Sequence, residues 1–321
     1  MGRAPDRDVA AELERLDARI QALLPAQYQH GYADVSPTSM GSATLKFDFD
    51  GRVAWGEIWT TFCDLALAGG PPHRGTLFEP VDPSEVAAKP SCTSEVAAEI
   101  ERAIGLTSGF TVRPGYAPGW LAVKCSSPAE AAWLQLAVTA ENVSARRRGD
   151  LLQLPVGPAF RDVKEVKNVV VALAKASHYW DGHLTDAQQG LVDGAEVWEP
   201  ASPFEAAVDP GTYAAAVDTL EAAIRRSGLE AAPRRYAGWA GAITADEDEA
   251  VWLLRAVLVA PVLARREEHV LYLPVTVGSD AVERAEQVGQ ALEHAVRLRR
   301  ALLAARRDVW RPSSSPGAGP R

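Results

Sequence analysis

Lysine is scarce in this sequence: six lysines and 27 arginines face 42 acidic residues, a net charge of −9 with histidine neutral. That balance argues against general binding to a phosphate backbone, which needs a basic face to release counterions. No uninterrupted apolar run approaches the ~18 residues of a membrane span. Cysteine is rarer still, and Cys63, Cys92 and Cys125 lie too far apart for a CxxC metal site or a disulfide framework. The opening Met1-Gly2-Arg3-Ala4-Pro5-Asp6 lacks the apolar core of a secretory signal. The expectation is a cytoplasmic protein with reduced thiols that binds neither nucleic acid nor membrane. Low lysine with abundant alanine and arginine further suggests a GC-rich bacterial genome. Catalytic signatures are absent too: no GxGxxG follows a strand, and there is no Walker loop, GxSxG or HExxH. No nucleotide cofactor is therefore expected.

What is present begins with a core. At 321 residues and 47% hydrophobic, the chain can fold as one large domain or two small ones. Residues 119–156 laid over 238–275, without gaps, are identical at 16 of 38 positions. The matches include Trp120/Trp239, Trp133/Trp252, Arg146/Arg265 and the run Leu-x-Leu-Pro-Val. Two tryptophan pairs in register make chance similarity an inadequate account, and two copies point to a duplicated domain.

Each copy reads the same way. In the first, Trp120–Cys125 has the apolar character of a strand. Ser126-Ser127-Pro128-Ala129-Glu130 opens a helix with a hydroxyl cap, a proline and an acid in the first turn. Val143–Arg148 and Leu151–Val156 form a hairpin about Gly149-Asp150, and a second helix runs from Val163 to about Trp180. Further helices precede the copies near 94–104 and 212–226. The expected fold is α+β: tandem α/β-sandwich units of βαββα type about a pseudo-twofold axis. They occupy 91–183 and 211–310 around a linker at 184–210. Residues 1–30 carry an amphipathic helix, with Val9, Leu13, Leu16, Ile20 and Leu23 as a heptad seam suited to a homodimer or to capping the core. Residues 311–321 form a Pro/Ser/Gly tail.

The non-repeated stretch 31–90 holds the first candidate chemistry. Ala43–Gly51 alternates like a strand, and Val53 to about Leu67 reads as a helix stopped by Gly69-Gly70-Pro71-Pro72. Cys63 and Asp64 precede that stop; His73 and Arg74 follow it. A cysteine beside a histidine is the minimum for a thiolate nucleophile, so Cys63, Asp64 and His73 are the catalytic candidates. Arg74 is a candidate for holding an anion, and Trp59 for a flat pocket wall. The plainer alternative makes Cys63 a small buried hydrophobe and the glycine–proline stretch a turn. A loop of small hydroxyl residues at 34–42 also offers donors, without phosphate-loop spacing.

The copies differ in ways that nominate more residues. Glu141-Asn142 faces Ala260-Pro261, a polar pair present once. Lys164 and Lys167 fall on a helical stripe that has no lysine in the second copy, where a solvated face competes with a patch for an anionic ligand. His178, Asp181 and His183 place two imidazoles and a carboxylate within six residues, a possible metal set of no standard spacing. Two functional readings follow. One is a small-molecule enzyme, suited to specialised biosynthesis, acting on an anionic substrate between the 31–90 segment and the first copy. The other is a non-catalytic ligand-binding or assembly protein.

Overall fold

The computed structural model describes residues 7–28, 44–60, 64–191, 197–260 and 262–309. Its architecture is mixed α+β with two four-stranded antiparallel sheets. The first is built from β1 (Thr111–Ala117), β2 (Trp120–Lys124), β3 (Arg146–Arg148) and β4 (Leu151–Pro155), in the order β1-β2-β4-β3. The second uses β5 (Glu230–Ala231), β6 (Trp239–Ile243), β7 (Arg265–Glu267) and β8 (Val270–Pro274), in the order β5-β6-β8-β7. Trp120 pairs with Pro155 in one sheet and Trp239 with Pro274 in the other. Strands β2 and β6 are both buried along their first four residues, the two tryptophans included.

Helices flank each sheet in matching order. In the first half these are α2 (Pro83–Ala88), α3 (Pro90–Ser108), α4 (Pro128–Ala140) and α5 (Lys167–His183), with a short α6 (Asp186–Leu191) after them. The second half has α7 (Pro203–Val208), α8 (Pro210–Arg226), α9 (Glu247–Leu258) and α10 (Ala281–Val309). The helix after β2 and the helix after β6 begin alike. Ser127 and Asp246 accept from the amides of Glu130 and Glu249, whose carboxylates accept from the amides of Ser126 and Ala245. Each cap thereby satisfies amides that a helix start leaves orphaned. Gly119 and Gly238 have φ of +80° and +74°, and a Cβ there would stand 2.8 Å from the Val81 carbonyl and 2.1 Å from that of Ala201. Glycine is required in both places because another backbone crosses the turn.

The N-terminal helix α1 (Arg7–Leu23) packs on α6, α9 and α10. Its seam residues Leu16 and Ile20 are buried in the chain's own core. Two expectations need correction. Residues 53–67 do not form one helix: Trp55–Thr60 and Ala66–Ala68 are short 3-10 turns, and 61–63 lie outside the described residues. The aromatic and β-branched side chains in that stretch, with Gly56 among them, have weak helix propensity and gain more by packing individually. The strand expected at 43–51 is a single bridge, Phe47 to Val53, closed by Asp48, whose carboxylate accepts from the amides of Asp50 and Arg52. The linker expected at 184–210 carries α6 and α7.

Candidate functional site

The non-repeated segment 64–78 runs as a strap across the two halves, and buried side chains hold it by its backbone. Glu141, the C-cap of α4, is fully buried. One oxygen accepts from the Ala66 amide at 2.9 Å and from Lys175 Nζ of α5 at 2.9 Å; the other accepts from the His73 amide at 2.7 Å. Burying a carboxylate is tolerable only with such compensation. Asn142 follows in the left-handed region at φ 61°, a conformation asparagine adopts readily. Its side-chain amide donates to the carbonyls of Arg74 and Arg266, both at 2.8 Å, and its side-chain oxygen accepts from Arg265 at 3.1 Å. The second half grips the same strap: Glu267 accepts from the Leu77 amide, and Arg266 donates to the Gly70 carbonyl.

His73 sits inside this arrangement. Burial pushes its imidazole down to about 4, with the Glu141 carboxylate opposing and the cations of Lys175, Lys167 and Arg74 reinforcing the fall. Its Nε2 is buried and has no hydrogen-bond partner. A histidine neutral when folded and more basic when unfolded gives stability that is complete above its unfolded value and lost as pH falls toward its folded one. Between about 6.5 and about 4 the parent is expected to lose about 3 kcal/mol more than a His73→Gln variant. Urea unfolding of both proteins across that range checks this, and parallel curves would refute it.

The other candidates are distributed as follows. Asp64 is exposed and accepts from the Tyr28 hydroxyl at 2.9 Å, which in turn lies 2.6 Å from the Tyr179 hydroxyl of α5. Arg74 stacks its guanidinium over Phe78, 5.1 Å from the ring centre, and donates through Nε to the Thr76 carbonyl. Lys164 stands beside Glu165 on the surface. Lys167 opens α5, near enough to His73 to act on its charge. Trp59 belongs to the Trp55–Thr60 turn. Cys63 and the 34–42 loop lie outside the described residues. Trp55 and Trp180 are core residues.

Of the metal set, His178 and His183 meet, Nε2 to Nε2 at 3.3 Å. Among the described residues no group of three or more His, Cys, Asp and Glu side chains is placed to hold a metal, so Asp181 does not complete the set.

A cleft also separates the halves. Leu77, Glu79, Trp120, Arg146, Ser202 and Trp239 contribute to its walls, and its volume of about 30 Å³ is room for a water, not a metabolite. Sequence reasoning missed Arg265, Arg266 and Glu267 as strap-holders. One signal was available: Glu267 stands where the first copy has Arg148, a reversal of charge inside the repeat. The chain matches no family model, no curated protein and no solved structure.

Proposed function

We propose that the chain is a small-molecule enzyme acting on an anionic substrate beside His73, where the strap meets α5. The observation that carries this reading is the buried, partnerless Nε2 of a neutral imidazole, whose proton is disfavoured by burial and by the charges of Lys175, Lys167 and Arg74 against the Glu141 carboxylate. A buried neutral imidazole is a weak base until an anion arrives. Bound negative charge raises its proton affinity toward the neutral range, where general-base catalysis is most effective. In this reading His73 moves the proton and Arg74 and Lys167 hold the anion. Glu141 and Asn142 position the strap and do not touch substrate. Asp64 and Cys63 are further candidates on the same strap and just before it. The cytoplasm of a bacterium is the proposed setting.

We also read the two halves as a tandem duplication about a pseudo-twofold axis. Their matched order of elements supports it, as does an upstream extension: Glu79-Pro80-x-x-Pro83-x-Glu85 is echoed by Glu199-Pro200-x-x-Pro203-x-Glu205.

A non-catalytic binding or assembly role is the second reading. It is favoured by the use of the Glu141 and Asn142 polar atoms on the chain's own groups, and by the small volume of the cleft. Histidine-selective NMR titration separates the two. Millimolar inorganic phosphate or succinate is expected to raise the His73 pKa by at least one unit, and Arg74→Ala or Lys167→Ala to remove most of that rise. A His73 pKa that neither anion moves would favour the non-catalytic role.

A further inference from the structure

The last turn of α5 carries a feature that the His73 reading does not use. Residues five apart on a regular helix point about 140° away from each other, so His178 and His183 would not normally meet. Here the Leu184 amide reaches back to the Tyr179 carbonyl at 3.2 Å, a five-residue span that widens the closing turn. α5 is also preceded by a π-helical turn at Asp162–Val166. A five-residue closure is a common way for a helix to end, and this one falls between the two histidines. The result is two imidazoles with Nε2 atoms 3.3 Å apart and ring planes at 70°.

That separation has a specific chemical meaning. Two imidazole nitrogens, each about 2.0–2.1 Å from one tetrahedral zinc ion, stand about 3.3–3.4 Å apart. We propose that His178 and His183 chelate a single borderline divalent metal ion of the zinc class through their Nε2 atoms, water filling the remaining positions. The pair is pre-set. The Tyr179 ring lies 5.2 Å from that of His183 and 5.7 Å from that of His178, and its hydroxyl is anchored to Tyr28. Packing of this kind fixes ring orientation before the metal arrives, which lowers the cost of binding. His178 is exposed, so a hydrated ion can reach it.

The test is calorimetric titration of the full-length chain with zinc chloride at neutral pH. One equivalent is expected to bind. His178→Ala and His183→Ala should each weaken binding at least tenfold, while His294→Ala and Cys92→Ser should leave it unchanged. Both histidines are at the surface end of a helix, and circular dichroism of each variant verifies that the fold persists. A parent that takes up no zinc at millimolar concentration would leave the pair as a simple hydrogen bond and overturn the proposal. Equal binding by the double variant His178→Ala/His183→Ala would also overturn it, by placing the metal elsewhere. Neither result depends on whether His73 handles an anion.

Discussion

Glu141→Ala is expected to remove about 3–5 kcal/mol from the unfolding free energy, measured by urea denaturation at neutral pH. The Glu141 and Lys175 side chains are 0% and 1% exposed, so deleting the carboxylate removes the countercharge of an ammonium where water does not reach. Two strap amides, those of Ala66 and His73, lose their acceptor in the same step. Unsatisfied buried donors of that kind carry their full desolvation penalty. Lys175→Met is expected to cost less, because the remaining carboxylate keeps both amide donors. Equal losses in the two variants, or a loss below about 1 kcal/mol for Glu141→Ala, would mean that the ion pair does not fasten the strap.

Arg265→Met is the second large effect, and Arg146 of the first sheet provides its control. Arg265 has no exposed side-chain surface. Its guanidinium lies 4.1 Å from the centre of the Tyr272 ring, 4.6 Å from Tyr236 and 4.9 Å from Trp239. It also donates to Asn142 and to Glu267. Losing a buried cation with aromatic and carboxylate partners is expected to cost about 3–5 kcal/mol. Arg146, its counterpart in the first copy, lies over Trp120 at the same 4.9 Å but pairs with a more exposed Glu205. Arg146→Met is expected to cost about 1 kcal/mol, the range of a solvent-screened pair. The same residue type on the same strand of each sheet thus tests burial against chemistry. Similar losses at both positions would contradict that reasoning.

Much of the fold was legible because its signals are local. The cap at Ser127, the glycine turns at Gly119 and Gly149 and the apolar strands each declare themselves within a few residues, and β2, β4 and α4 lie where they indicated. The strap was not legible for the opposite reason. It holds its course through bonds to Glu141, Asn142, Arg266 and Glu267, which local periodicity does not register. Apolar spacing suggested a helix over 53–67, and weak helix propensity together with long-range packing prevailed. For the candidate site, the contrast between Glu141-Asn142 and Ala260-Pro261 identified a place where the copies diverge. It did not reveal that the bonds made there run to the chain's own backbone. Similarly, spacing brought His178 and His183 to attention, but only the wide closing turn of α5 explains why they meet.

The position of the strap bears on the timing of synthesis. Leu77 is made 190 residues before Glu267, which accepts its amide. At about 5–20 residues per second, roughly 10 to 40 s separate the two on the ribosome. Throughout that interval the first half can fold, and Glu141 and Asn142 become available to the strap about a third of the way through. Its grip by the second half must wait for β7. The nascent chain therefore passes through a half-fastened stage in which Leu77 and the Gly70 carbonyl have only water or a chaperone for company. The last lock to close belongs to one of the earliest segments made.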